Sequence, residues 1–278
     1  MIAVFRITAM ALAIISVTLT LLPFQVIASH LQRFWHKSLP MFWQGLMCKL
    51  FGLQLHIHGK MPAGRPLLLV SNHISWTDIL VLGSLGQISF IAKSEVKSWP
   101  VFGVFAKLQN TIFIERDQKN KSGAQAEAIA TRLQEGDVLV LFAEGTTSDG
   151  NHILPFKSSL FGAAKVALLD APDGQVLVQP VSIAYTKLHG IAMGRYHRPV
   201  AGWPGNVGLV KHLMGIISAG AIDVEVTFGE PHVVTKATNR KNLAATIETE
   251  IRTMHRESLT GVSPQATHSS LLKSSETS

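Results

Sequence analysis

His73 and Asp78 stand five residues apart in "LLLVSNHISWTDILVL" (67–82), where an apolar run breaks into polar residues and then resumes. Imidazole titrates near neutrality and can take a proton from a hydroxyl. A carboxylate bonded to its second ring nitrogen fixes the tautomer and stabilises the imidazolium. In a regular helix, residues i and i+5 point apart. The pair can therefore meet only if His73 sits on a turn and Asp78 in the first turn of a helix. One such spacing decides little, since a chain of this composition gives roughly 0.3 by chance.

Two further polar positions follow apolar runs. "FIERD" (113–117) puts Arg116 just after one, and "LFAEGTTSDG" (141–150) puts Glu144 and Gly145 just after another. A charged loop residue explains each alone. Three together at strand ends describe a ligand site, because open α/β sheets collect ligands at the carboxyl ends of their strands.

The elements that would position these groups alternate. Strands are expected at 53–58, 67–71, 88–92, 111–114, 138–142, 176–184 and 222–228. Helices are expected at 78–85, 96–109, 121–135, 159–169 and 241–257. Short apolar strands alternating with helices imply an α/β fold, with a mixed, largely parallel sheet flanked by helices. Pro180 inside 176–184 makes that strand an edge or an irregular one. His56 and His58 share a strand face without a third ligand nearby, so they read as solvated rather than metal-binding. Arg195, His197 and Arg198 in "GRYHRP" read first as a solvated basic loop, with contact to anionic lipid or acidic carrier protein as the alternative. "GWPGN" (202–206) reads as a turn, and His152 receives no catalytic role.

Composition points to a membrane. Only 15% of the 278 residues are charged, against about 25% in an average soluble chain, and mean hydropathy is +0.26. The net charge of +7 suits anionic lipid or nucleic acid. No Lys/Arg cluster or nucleic-acid motif accompanies it, so nucleic acid is set aside as a partner. Residues 7–29 carry no charge, and about 20 such residues cross a bilayer core as a helix. Residues 31–51 mix Phe34, Trp35, Phe42 and Trp43 with Arg33, Lys37 and Lys49, a composition suited to the membrane interface. The expected organisation is a membrane-anchoring helix pair over 1–52, one α/β domain over 53–260 and a polar, disordered tail over 261–278. The single cysteine, Cys48, lies in an apolar stretch and reads as a buried, inert thiol.

"NHISWTD", "FIERD", "FAEGTTSDG" and "VQPVSIAY", in that order between Leu67 and Tyr185, resemble the four motifs of the glycerolipid (1-acylglycerol-3-phosphate type) acyltransferase superfamily. The resemblance implies acyl transfer from acyl carrier protein or acyl-coenzyme A to a lysolipid hydroxyl. It implies His73 as general base and Asp78 as its orienting partner. It also implies that Arg116 and Glu144, Gly145, Thr146 and Thr147 hold the acceptor, and that Pro180 shapes the acyl-chain end. "KSEVKSWPVFG" (93–103) is similar to a further block, in which Lys93 faces the headgroup. The chemistry needs no Ser or Cys nucleophile, and no metal or redox cofactor is implied.

One departure bears on the acceptor. The family's third motif usually reads Phe-Pro-Glu-Gly-Thr-Arg-Ser, and here Ala143 and Thr147 replace its proline and arginine. Threonine cannot replace the bidentate grip of arginine on phosphate. The superfamily's commonest activity favours 1-acylglycerol-3-phosphate. Thr147 favours the branch that acylates lyso-ornithine lipid, which "EGTTSDG", "AMGRYHRP" and "GAIDVEVTFGE" also resemble. The expected location is the cytoplasmic face of the inner cell membrane. The sequence leaves oligomeric state open. A non-catalytic lipid binder and a thioester hydrolase are the competing classes.

Overall fold

A computed structural model describes residues 2–31, 34–115, 122–161, 174–205 and 207–261. Arg116, most of the expected 159–169 helix, Asn206 and the tail beyond Gly261 lie outside the described residues. Two helices, α1 (Ile2–His30) and α2 (Ser38–Phe51), precede the sheet. Its strands are β1 (Leu53–His58), β2 (Leu67–Ser71), β3 (Ile88–Lys93), β4 (Ile112–Ile114), β5 (Val138–Phe142), β6 (Val176–Leu188), β7 (Ile191–Ala192), β8 (Ile222–Phe228) and β9 (His232–Val234). The other helices are α3 (Thr77–Ser84), α4 (Phe102–Leu108), α5 (Ser122–Gln134), α6 (Leu209–Ala219) and α7 (Arg240–Thr260).

The sheet runs β1-β8-β6-β2-β5-β3-β4, with β7 and β9 also on β6. Strands β6, β2, β5, β3 and β4 are parallel, as are β1 and β8, and the two blocks join antiparallel at β6 and β8. The period-2 rule sorts the central strands onto two cores. Leu67, Leu69, Val138, Val140 and Phe142 face one side, with residues of α2, α3 and α6. Leu68, Val70, Leu139 and Leu141 face the other, with α5 and α7. Both faces are covered, so β2 and β5 are buried throughout.

The fold corrects several expectations. Of the two readings of β6 the irregular one holds: the strand is interior, with β2 on one side and β9 and then β8 on the other. Pro180 falls in the gap where the antiparallel partner changes from β9 to β8. Its missing N–H costs little there, and its carbonyl accepts from Gly229 N. The expected 96–109 helix splits into a 3-10 turn (Ser94–Ser98) and α4. Val101 takes φ +65° between them, a strained conformation for a β-branched residue.

α1 is long and apolar enough to cross a membrane, with Leu12, Ile15 and Leu19 exposed. α2 departs from a purely interfacial helix. Its Phe42 is exposed, but Met47, Cys48 and Phe51 enter the sheet's core. The expected boundary at residue 52 falls on Gly52, a left-handed turn between α2 and β1, and the core is continuous across it. Burial pushes the Cys48 thiol up to about 12, far from a reactive thiolate. The buried carboxylate of Asp137, bonded to Lys37 and Arg132, ties the loop before α2 to the start of β5.

Candidate active site

The chain leaves β2 at Ser71 and turns through 72–76 into α3. Asn72 is buried and exchanges two hydrogen bonds with the backbone of Ile183, so the turn is pinned to β6. Asp78, in the first turn of α3, reaches back. Its Oδ2 accepts from the N–H groups of Ile74 (2.6 Å) and Ser75 (2.9 Å) and from His73 Nδ1 (2.8 Å). A carboxylate folded back onto preceding amides is the logic of a capping box. It creates the turn that lets residues five apart meet.

The other oxygen of Asp78 accepts from Tyr185 Oη at 2.7 Å, and Tyr185 Oη and Thr77 Oγ1 lie 2.5 Å apart. Asp78, Tyr185 and Thr77 are all buried. Four donors thus satisfy a carboxylate shielded from water, the arrangement a buried charge requires. With Nδ1 donating to Asp78, the basic nitrogen of His73 is Nε2, which makes no hydrogen bond among the described residues. The imidazole stacks on Phe142 at 3.9 Å between centroids, and Phe142 stacks in turn on Phe90.

Glu144 closes the site from the end of β5. Its two oxygens accept from His73 N and Leu154 N, each at 2.7 Å. Burial outweighs these bonds and lifts its carboxyl to about 8. With both oxygens so engaged, Glu144 fastens the His73 turn to the 143–156 loop. Gly145 supplies the turn after it at φ +73°, a conformation glycine adopts without cost. Thr146 is exposed. The Thr147 hydroxyl donates to the Trp203 carbonyl, and Trp203 N donates to Ile74 O. Where the family's usual motif has arginine, this chain therefore has a staple that holds a third loop against the His73 turn. Lys93, at the end of β3, is exposed and contacts Glu95 at 3.4 Å. The structure brings His73, Asp78, Glu144 and Thr147 together at the ends of β2 and β5, and sets Lys93 apart from that network.

Sequence reasoning left several contributors unassigned. Tyr185 stood in a quoted motif without a role. A phenol within a buried strand was its one local signal. Trp76 donates to His212 Nδ1 (2.9 Å) across 136 residues, a pairing no local pattern reveals. Burial lowers the His212 imidazole below its usual range. Arg198 corrects the expectation of a solvated loop: it is buried and donates to Asn151 Oδ1 (2.6 Å) and Met193 O (2.8 Å). His56 and His58 face the carboxylates of Asp223 (2.7 Å) and Glu225 (2.6 Å) rather than water alone.

Beside Phe90 and Trp76 opens an apolar cavity of about 500 Å³, bounded by α1, α2, α3 and α4. Ile15, Trp43, Leu80 and Phe105 are among its walls. Phe90 belongs to its wall and stacks on Phe142, which stacks in turn on the His73 imidazole.

Residues 53–184 match the Acyltransferase family model. A lyso-ornithine lipid O-acyltransferase of Brucella abortus is 53% identical over 261 residues, covering 94% of this chain and 98% of that one. The chain belongs to the acyltransferase family. A second lyso-ornithine lipid O-acyltransferase, from Rhizobium meliloti, is 47% identical over 94% of this chain and 89% of its own. A 1-acyl-sn-glycerol-3-phosphate acyltransferase of Neisseria gonorrhoeae is 32% identical over 69% of this chain and 73% of its own. The acyltransferase fold also matches the crystal structure of a 1-acyl-sn-glycerophosphate acyltransferase from Thermotoga maritima. That match has a TM-score of 0.62 at 19% identity, over 92% of this chain and 97% of that one. Between the two acceptors the sequence left open, these relatives favour the ornithine-lipid branch over the phosphate branch first expected from the superfamily.

Proposed function

We propose that this acyltransferase is a lyso-ornithine lipid O-acyltransferase, moving a fatty acyl group from a pantetheine thioester to the free hydroxyl of lyso-ornithine lipid. The donor is acyl carrier protein or acyl-coenzyme A. The observation that carries the reading is identity of 53% to a relative of that name over nearly its whole length. Thr147 supports it physically, since its hydroxyl is engaged by the Trp203 carbonyl and offers no phosphate a charge.

In this reading the acceptor hydroxyl gives its proton to His73 Nε2 as its oxygen attacks the thioester carbon. The carbon–sulfur bond then breaks, and the thiolate takes the proton back from the imidazolium. Asp78 holds the imidazole tautomer and offsets its positive charge. The amides of Ile74 and Ser75 are spent on Asp78, so the oxyanion's donors come from elsewhere. The apolar cavity receives an acyl chain. α1 anchors the enzyme in the inner membrane, with the sheet on the cytoplasmic side. His73, Asp78, Lys93 and Arg116 are the residues to substitute first.

The test reconstitutes the protein in lipid with labelled acyl thioester, offering lyso-ornithine lipid and lysophosphatidate separately. Label in ornithine lipid, absent with His73→Ala, is the expected result. Label only in phosphatidate would overturn the acceptor and assign phosphate recognition to Lys93 and Arg116. Free fatty acid in place of either product would identify a hydrolase.

A further inference from the structure

A second cavity, of about 380 Å³, lies between the loop at 151–153, the loop at 195–198 and the last turns of α7. Its walls include Arg195, Arg198, Arg252, Arg256, His152 and His255, and none of the described residues lining it carries a carboxylate. Two of these side chains are almost wholly buried with a polar atom unpaired: Arg198 Nε and His255 Nε2. A buried donor without a partner is costly in a folded protein and calls for a ligand or water. Burial beside Arg198 and Arg252 lowers His255 to about 4. The positive charge is therefore carried by guanidinium groups, which match phosphate oxygens in geometry. Arg252 is partly neutralised by Glu248 (2.7 Å), and Arg195 contacts His152 (2.8 Å).

The pocket's position relative to His73 gives it meaning. Gly150 lies directly between the His73 turn and this pocket. A Cβ there would sit 3.2 Å from both Ile74 Cγ2 and Arg198 Cγ. On its other side the same turn puts Trp76 in the wall of the apolar cavity. The His73 turn therefore touches the apolar cavity through Trp76 and meets the arginine pocket through Ile74, Gly150 and Arg198, and the two cavities share no wall residue. A pantetheine thioester likewise carries an apolar chain and an anionic phosphate on either side of its reacting carbonyl. A zwitterionic headgroup would want a free carboxylate for its ammonium, and the two beside the wall, Glu248 and Asp149, are already held by Arg252 and by Asn151 and His152.

We propose that this arginine-lined pocket binds the phosphate of the pantetheine arm on the thioester donor, a group that acyl-coenzyme A and acyl carrier protein share. The proposal rests on the thioester-donor reading above. It assigns Arg195, Arg198 and Arg256 to donor recognition, away from the reacting atoms.

The test compares two small donors differing by one group, acyl-4′-phosphopantetheine and acyl-pantetheine, with acyl-coenzyme A and acyl carrier protein as further arms. Arg198 is buried and its substitution risks the fold. The variant is therefore the surface pair Arg195→Gln with Arg256→Gln, checked by its melting temperature. The unmodified enzyme should prefer the phosphorylated donor in kcat/KM. In the variant that preference should fall about tenfold or more, through KM. A loss confined to one of the two large donors shows which source fills the pocket. An unchanged preference, or equal losses with both small donors, overturns the proposal. So does a rise in KM for the lysolipid alone, which would assign the pocket to the acceptor. If the unmodified enzyme uses no pantetheine thioester at all, the donor reading itself fails, and the pocket assignment falls with it.

Discussion

The two faces of the sheet are packed to different ends. On the face of α5 and α7, Ile129, Leu133, Ile247 and Ile251 fill the space over Leu68, Val70, Leu139 and Leu141. That face resembles the core of any soluble α/β protein. On the face of α1 to α4 and α6, equally apolar residues leave about 500 Å³ unfilled. Beyond that space α1 exposes Leu12, Ile15 and Leu19. Interiors are normally packed as densely as organic crystals. A void of this size beside a membrane-length helix is what the acyl-chain site proposed above requires. The His73 turn lies at the seam, with Trp76 on the open face and Gly150 and Arg198 on its other side.

The largest expected effect comes from the seam itself. His73→Ala should lower kcat by about 10²–10⁴, the worth of a general base, with a small fall in melting temperature, because Asp78 Oδ2 loses one donor but keeps the amides of Ile74 and Ser75. Loss of melting cooperativity instead would show the ring to be part of the fold. The faces separate next. Ile251→Ala on the filled face should cost about 2–5 kcal/mol of stability, read by denaturant unfolding, and leave the acyl-chain profile of the product unaltered. Ala106→Phe on the open face should shift that profile toward shorter chains at small cost in stability, since the added ring enters existing space. If Ala106→Phe unfolds the protein as overpacking would, the void is not a binding space and the contrast between the faces collapses.

The sequence showed the filled face and the seam better than the open one. α5, α7 and the central strands carry their periods locally: apolar spacing for the helices, all-apolar runs for β2 and β5. His73 and Asp78 lie within one turn, so their spacing could be reasoned about directly. The cavity is assembled from α1, α2, α3, α4 and β3, and no window of sequence encodes a space among them. Tyr185 is 107 residues from Asp78, and Trp76 is 136 from His212. Arg198 looked solvated because charge in a short loop usually is, and its burial follows from partners at Asn151 and Met193. Thr147 read only as a missing arginine, whereas in the fold it is a staple.

A smaller effect tests how the seam is held. Tyr185→Phe removes one donor from Asp78 and leaves an oxygen of a buried carboxylate short of a partner, at about 1–3 kcal/mol. Activity should fall about tenfold in kcat with KM unchanged, because Asp78 then holds the imidazole less firmly. A loss of stability with kcat unchanged would make Tyr185 a packing residue only.

The last effect concerns Glu144, and its sign follows from linkage. An acid whose carboxyl is raised to about 8 in the fold and titrates at about 4.3 in the unfolded chain holds more protons when folded. Between those values stability falls as pH rises, and outside them the group contributes no slope. The melting temperature should therefore decline from about pH 5 to pH 8 with a component that Glu144→Gln removes. The variant should also melt lower than the parent at pH 5. A glutamine amide offers one acceptor oxygen, whereas the N–H groups of His73 and Leu154 need two. A variant that keeps the parent's pH slope would mean that the two amides hold Glu144 ionised throughout. The clamp on the His73 turn would then be a fixed charge, insensitive to pH over that range.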